Sequence, residues 1–199
     1  MNKKIAIIGA GGHGKVVGEI ALLSQYETIH FFDDKINEIK NFPFTINGNL
    51  AQLKDNFKSY DEFFVALGDN KARYKRISWL KKEKVNIAIL IHPKSTISKF
   101  SSIGAGTCIM ANAVVNSGTS IKEGVIINTS ASIDHDCVIG NFTHISPNCS
   151  LSGNVSVGKF THLGTGTSVH PGIIIGKDVK TGIGSKIYKN IIDDKVFKN

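Results

Sequence analysis

From Ile97 the chain reads ISKFSS-IGAGTC-IMANAV-VNSGTS-IKEGVI-INTSAS-IDHDCV-IGNFTH-ISPNCS-LSGNVS-VGKFTH-LGTGTS-VHPGII-IGKDVK-TGIGSK and arrives at Ile187, a repeat of strict period six. The first residue of each hexad is aliphatic at 15 of 16 positions, Thr181 being the exception, and no insertion breaks the register. Four residues later the chain favours a small side chain, as at Thr107, Ala113, Thr119, Cys137, Thr143 and Thr161. Glycine often follows the aliphatic directly, as at Gly104, Gly140 and Gly158.

Six is not the period of a helix (about 3.6) but three times that of a strand (about 2). Every sixth side chain therefore keeps one facing, while the small residues permit a bend between. Such hexads mark a parallel β-helix, in which each unit is stable only when stacked on the next. Three hexads close one triangular coil, so the run makes about five coils, each rising ~4.8 Å. The aliphatic columns fill the interior and the small residues fit the corners.

The bulk composition narrows the partners only a little. The formal charge is +8, with 15 Lys/Arg against 10 Asp/Glu in residues 1–96 and 9 against 6 in 97–199. A mild basic surplus suits an anionic ligand such as a nucleotide or coenzyme A, and by itself also nucleic acid. Seven Lys/Arg fall within residues 71–84, but they interleave with Tyr74, Ile77 and Leu80 as an exposed helical face would. No aromatic stacking platform accompanies them, which disfavours nucleic acid. Cys108, Cys137 and Cys149 form no CxxC pair, and two of them occupy the small-residue slot, so they read as core filling in a reducing compartment. The apolar run behind Met1-Asn-Lys-Lys breaks at Gly9, too early for a signal peptide, and no stretch approaches the ~18 apolar residues of a membrane span. The expected location is the cytoplasm.

Residues 1–92 read as a small Rossmann-like α/β domain. A buried strand, Lys4–Ala10, runs into Gly9-Ala-Gly11-Gly12-His13-Gly14, and an amphipathic helix follows from about Lys15 to Leu23. Val16, Val17, Ile20, Ala21 and Leu22 are expected on its inner side. A second strand, Thr28–Phe32, ends in Asp33-Asp34, and the first acid lies nineteen positions beyond Gly14. This order fits a nucleotide-binding unit: glycines let the backbone approach a ligand, the helix N-terminus favours an anion, and an acid takes ribose or base hydrogens. The strand Glu62–Leu67 carries Gly68-Asp69-Asn70 at its C-terminal end, where ligands of open α/β sheets sit. A helix Lys71–Glu83 and a strand Val85–Ile91 complete the domain, and His92-Pro93 ends it. About 90 residues are too few for a two-halved dinucleotide fold, which favours a nucleotide sugar over NAD. Gly11, Gly12, His13, Asp33, Asp34 and Gly68 are the candidate contacts.

Among the histidines, His30 and His92 read as structural. His144 and His162 are three hexads apart, one full coil, and are expected to stack in one column. His135 precedes His144 by half a coil and projects from another side of the prism. Two chains packed side by side would bring the two into one cleft, which points to a site between subunits.

The bipartite layout resembles the bacterial sugar acyltransferases that include sialic acid O-acetyltransferases and the N-acetyltransferases of nucleotide-linked 4-amino sugars, the bacillosamine-pathway type among them. The resemblance rests on Gly-Ala-Gly-Gly-His-Gly, Asp33-Asp34, Gly68-Asp69-Asn70, Ile91-His92-Pro93 and, above all, Asn128-Thr-Ser-Ala-Ser-Ile-Asp-His135-Asp136-Cys-Val-Ile-Gly140. It implies a left-handed parallel β-helix over residues 93–199, a homotrimer, acetyl-CoA as co-substrate, no metal, and acetylation of a nucleotide-linked 4-amino-4,6-dideoxy sugar in surface glycan biosynthesis. It further implies His135 as general base oriented by Asp136, and Asn128 near the acceptor's amino group. His144, Gly153, Thr165 and Ile183 would lie along the acetyl-CoA channel, and Lys186 or Lys189 would serve its phosphates. Relatives usually continue into a short Gly-x-Pro-Ala-Lys tail where this sequence reads Lys195-Val-Phe-Lys-Asn199. Strict strand alternation points Asp136 away from His135, so that contact requires a corner or bulge.

Three other readings compete. The acceptor could be a sialic acid hydroxyl, or the protein could bind a nucleotide sugar without turnover. Zinc carbonic anhydrases also use left-handed β-helices, but they pair histidines five positions apart and no His-x4-His occurs here.

Overall fold

The computed structural model describes residues 3–197, so Met1, Asn2 and the terminal Lys198 and Asn199 of the runs discussed above lie outside it. The chain divides into two units, Met1–Leu90 and Ile91–Asn199.

The first unit is built on four parallel strands, β1 (Lys4–Ile8), β2 (Thr28–Phe32), β3 (Thr45–Gly48) and β4 (Glu62–Val65), in the order β3-β2-β1-β4. Ile5 to Ile8, Phe31, Phe32 and Phe63 to Val65 are buried as unbroken apolar runs, as a parallel sheet covered on its faces requires. Helix α1 (Gly12–Leu23) starts three positions earlier than expected, so the later glycines of the motif form its first turn. Gly14, Val17, Gly18, Ile20 and Ala21 are buried, whereas Val16 and Leu22, expected inward, are 40% and 61% exposed. The buried stripe is centred on the 14–17–18–21 line; residue 22 lies about 90° from it on a flank and residue 16 about 150° from it on the opposite face.

Strand β3 and the short helix α2 (Leu50–Asp55) were not expected. Asn49 and Gln52 form a capping box that starts α2: Asn49 Oδ1 accepts the Gln52 N–H at 3.0 Å and Gln52 Oε1 accepts the Asn49 N–H at 2.8 Å. Helix α3 (Asn70–Lys82) is capped by Asp69, whose carboxylate accepts the Ala72 N–H at 2.8 Å. The expected strand Val85–Ile91 is split. Ile87 makes one isolated parallel bridge to Phe63, and only Leu90–Ile91 forms a further short strand.

The second unit is the left-handed β-helix. Two-residue parallel strands stack into sheets of five, six and seven strands, each pairing with the strand one coil further on, as Ile127 does with Ile145. The hexad aliphatics from Ile109 to Ile175 and Ile187 are 0–3% exposed and form the interior columns. Thr181 sits in the same column position, where its hydroxyl accepts the Gly164 N–H and meets Thr167 Oγ1 at 3.0 Å.

The corners explain the small residues. Three positions after the aliphatic the backbone turns left-handed, with φ near +57° at Ser130, Asp136, Phe142 and Asn148. The next residue is buried and laces two coils together. Thr119 Oγ1 donates to Asp134 O and accepts the Cys137 N–H, and Thr107 and Thr161 repeat the pattern. A hydroxyl of this size satisfies two backbone groups that the bend takes out of the sheets.

Candidate active site

Two corners of the β-helix and one sheet edge of the first unit gather the candidate residues. His135 and Asp136 stand at the corner between the strands Ser132–Ile133 and Val138–Ile139. The left-handed turn at Asp136 (φ 57°) brings its side chain back toward its neighbour, so that His135 Nδ1 and Asp136 Oδ2 lie 2.9 Å apart. The carboxylate accepts the Nδ1 proton, which leaves Nε2 as the basic nitrogen of the neutral ring. Asp134 adds support from the other side: its Oδ1 accepts the His135 backbone N–H at 2.8 Å and the Asn116 amide at 2.9 Å. The hydrogen bond to Asp136, then the charge of Asp134, hold the His135 pKa above the ordinary histidine value. Asn116 and the His135 amide hold the Asp134 carboxyl below its usual range. The ring is solvent-exposed, and Gly153, one coil on, lies against it.

His144 and Asn128 belong to a different edge. His144 opens the strand His144–Ile145, and its ring stacks on that of His162 with centroids 4.5 Å apart and planes at 8°. Asn128 Oδ1 accepts the Thr129 N–H at 2.8 Å, so its amide nitrogen faces His144 Nε2, at 3.1 Å, as a donor. His162 Nε2 meets Ser146 Oγ at 2.9 Å. Thr165 and Ile183 share a column on this edge, linked by the Gly184 N–H to Thr165 O at 2.8 Å. Ile183 is 80% exposed, and a Cβ at Gly184 would meet nothing within 4 Å. This open, glycine-bearing backbone fits a long thin pantetheine arm. The structure thus joins Asn128 to His144, and puts Gly153 beside His135, away from Thr165 and Ile183. Lys186 and Lys189 line a depression of about 470 Å³ near the last coil, with Tyr188, Lys195 and Phe197.

In the first unit a depression of about 210 Å³ opens at the C-terminal ends of β1 and β2, lined by Gly9, Asp33, Asp34, Lys35 and Arg76 among others. Asp33 accepts the Ala10 and Lys35 backbone N–H groups, both at 2.9 Å, and so fixes the glycine loop. Asp34 pairs with Arg76 at 3.1 Å. The glycines divide by what surrounds them. Gly9 has φ +107° and faces Ala66 and Leu67, and a side chain on Gly14 would collide with the Gly9 carbonyl. Gly11, Gly12 and Gly68 have nothing within 4 Å of an added Cβ, so packing does not demand glycine there. The open face at these three positions leaves room for a ligand to approach the backbone.

Two residues here escaped the sequence reading. Arg73, expected on an exposed face, is fully buried, and its guanidinium donates to Leu67 O at 2.8 Å, Gly68 O at 3.1 Å and Asn70 Oδ1 at 2.8 Å. It sits close enough to His13 that burial first, and the Arg73 charge second, push the His13 pKa down to about 4. Arg76, from the same basic run, presents a cation at the depression. Among the described residues no cluster of three His, Cys, Asp or Glu is placed to hold a metal, and no helix is long and apolar enough to cross a membrane.

Residues 4–80 match the family model of the PglD N-terminal domain. Over the whole chain the structure is similar to the acetyltransferase domain of PglB from Neisseria gonorrhoeae FA1090 in complex with acetyl coenzyme A, with 38% identity, TM-score 0.95 and coverage of 100% of this chain and 97% of that one. It is also similar to PerB from Caulobacter crescentus in complex with CoA and GDP-perosamine, with 32% identity, TM-score 0.92 and coverage of 100% and 95%. UDP-N-acetylbacillosamine N-acetyltransferase of Bacillus subtilis (strain 168) is 37% identical over 112 residues, 55% of this chain, and the match spans about half (52%) of that relative's length. With a bipartite fold shared end to end at this level of identity, the chain belongs to the family of acetyl-CoA-dependent sugar acetyltransferases of the bacillosamine-pathway type.

Proposed function

We propose that this protein transfers the acetyl group of acetyl-CoA to the amino group of a nucleotide-linked 4-amino-4,6-dideoxy sugar, in the cytoplasm, as a step of surface glycan biosynthesis. The observation that carries the reading is the His135–Asp136 pair, an exposed imidazole whose Nδ1 is tied to a carboxylate, which leaves Nε2 as the basic nitrogen. His135 Nε2 takes a proton from the acceptor amine as the nitrogen bonds to the acetyl carbon and the CoA thiolate leaves. An imidazole whose pKa lies near working pH suits that transfer. Asn128 and His144, on the other corner, line the thioester's path with Thr165 and Ile183. The open glycines Gly11, Gly12 and Gly68, with His13, Asp33 and Asp34, hold the nucleotide of the acceptor. Support comes also from the bound ligands of the relatives, acetyl coenzyme A in one and CoA with GDP-perosamine in another. Mass spectrometry of products from acetyl-CoA and a panel of nucleotide amino sugars tests the assignment, and a panel returned wholly unacetylated defeats it.

The two corners of one chain carry complementary halves of such a site, the base on one and the thioester path on the other. We therefore propose a homotrimer with parallel helix axes, in which each His135 faces the His144 edge of a neighbour. Sedimentation equilibrium is expected to give three times the 21.5 kDa chain mass. A monomer mass at micromolar concentration rejects the shared site.

Substituting Gly11 with leucine is expected to raise the acceptor KM at least ~10-fold and leave that of acetyl-CoA within about twofold. A Cβ at this position meets nothing within 4 Å in the folded protein, so the loss is expected to fall on ligand approach, at a cost in the range of overpacking. A rise in the acetyl-CoA KM alone would reassign this unit.

A further inference from the structure

Two glycines bracket the His135–Asp136 pair, one from the coil on each side. Gly153 follows His135 by one full coil, and Gly118 precedes Asp136 by the same interval. A Cβ on Gly153 would lie 2.5 Å from His135 Nε2 and 2.6 Å from Cε1. A Cβ on Gly118 would collide with Asp136 Oδ1.

Backbone conformation does not demand glycine at position 153, and at position 118 it accounts for glycine only in part. Gly153 is not among the residues with positive φ. Gly118 is, at φ +74°, but the same fourth position of other hexads carries Asn112, Ser130, Phe142, Asn148 and, at the same corner, Asn154, at φ between 57° and 60°. The corner therefore accommodates a side chain, asparagine above all. Gly172 shows the contrast: its φ is +72° and a Cβ there would meet nothing within 4 Å. What distinguishes Gly118 and Gly153 is that their missing side chains would occupy the space of the carboxylate and of the imidazole.

We infer that Gly118 and Gly153 are positioning residues for acetyl transfer, the first leaving the volume in which Asp136 turns toward His135 Nδ1 and the second leaving the volume in which the imidazole lies. The inference rests on the reading of His135 as the base. The pair is exposed, so shape imposed by the neighbouring coils fixes a geometry that burial would fix elsewhere. The charged groups facing the imidazole are Asp136 and Asp134, both on its own corner. The adjacent coils bring Asn116, through its bond to Asp134, and Asn154, whose N–H donates to His135 O at 2.9 Å.

The test compares Gly118→Asn, Gly153→Ala and Gly172→Asn in the full chain. His135 is titrated by NMR of the imidazole, and kcat and KM are measured against pH. In Gly118→Asn the His135 midpoint is expected to move down, toward that of Asp136→Asn, and the acid limb of kcat/KM to move with it. Gly153→Ala is expected to cost ~10²-fold in kcat, the scale of a misplacement of about 1 Å, with little change in the acceptor KM. Gly172→Asn is expected to match the wild type in both. If Gly118→Asn leaves the His135 midpoint where Gly172→Asn leaves it, or Gly153→Ala keeps full kcat, the inference is wrong. Gly118→Ala, a smaller intrusion at the same atom, replaces the asparagine variant if that one fails to fold. A fully active His135→Ala alongside a shifted His135 midpoint in Gly118→Asn would reject His135 as the base, and with it a role in acetyl transfer for either glycine, while leaving Gly118 as the residue that makes room for the Asp136 contact.

Discussion

Replacing His135 with alanine is expected to lower kcat by ~10²–10⁴, the usual worth of a positioned general base, while acetyl-CoA binding stays within about twofold. Binding is expected to survive because the proposed thioester path runs past His144, Thr165 and Ile183 on another edge of the β-helix. The pH dependence gives a second signature. Asp136 accepts from Nδ1 and Asp134 adds negative charge, and together they favour the imidazolium. A base must be neutral to act, so activity falls as pH drops through the His135 pKa, and the acid limb lies above the ordinary histidine value. Asp136→Asn removes the larger of the two influences. The limb is then expected to move to lower pH, while kcat falls less than in His135→Ala because orientation is weakened and the base is retained. Stopped-time assays of acetylated product, run where chemistry limits the rate, measure both effects. Near-wild-type kcat in His135→Ala under that condition removes His135 from the reaction, and an unmoved acid limb in Asp136→Asn removes Asp136 from its control.

The β-helix was legible because the interior column depends only on which residue is aliphatic every sixth step. Its hand was not, since the period is the same for either sense of winding and crossover statistics favour the right-handed one. The His135–Asp136 contact lay between these cases. Alternation along a strand forbids it, and only the left-handed corner at the fourth hexad residue, repeated from Gly106 to Gly184, permits it. That corner leaves a trace in the asparagines, aspartates and glycines at the position, a composition typical of left-handed backbone. Gly153 shows what the same arithmetic yields from two origins. It lies half a coil from His144 and one coil from His135, and only the second count shows that it packs against the imidazole. In the first unit the strand–glycine–helix–strand–acid order was plain. Arg73 was not, because a single buried arginine among seven basic residues looks like its exposed neighbours until the helix is docked.

That arginine yields the largest expected effect on stability. Arg73→Met keeps the apolar stem but withdraws the charged donor of a fully buried side chain from the half-buried Leu67 O and Gly68 O and from the buried Asn70 Oδ1. The cost is expected to be about 3 kcal/mol, since three acceptors lose a charged donor and each unsatisfied buried group costs roughly 1–3 kcal/mol. This is a large share of the ~5–15 kcal/mol that stabilises a typical domain. Arg73→Lys is expected to recover little, because one ammonium does not reproduce a planar fork spread over three acceptors. Trp79, the single tryptophan and a residue of α3, reports the transition in urea. Acid adds a second test. The folded His13 pKa is held down at about 4 against an ordinary 6.5, chiefly by burial and then by Arg73. The unfolded chain therefore binds the proton first, and stability is full above pH 6.5 and is lost as pH falls from there toward 4. Without the Arg73 charge the folded His13 pKa rises and that window narrows from its acid end. The expected outcome is a variant that is weaker at pH 7 yet loses less on going to pH 4.5. A Trp79 transition within ~0.5 kcal/mol of wild type, the range of surface substitutions, would mean that the Gly68 loop holds its shape without Arg73. The loop bearing one of the three open glycines would then owe its geometry to the Asp69 cap alone.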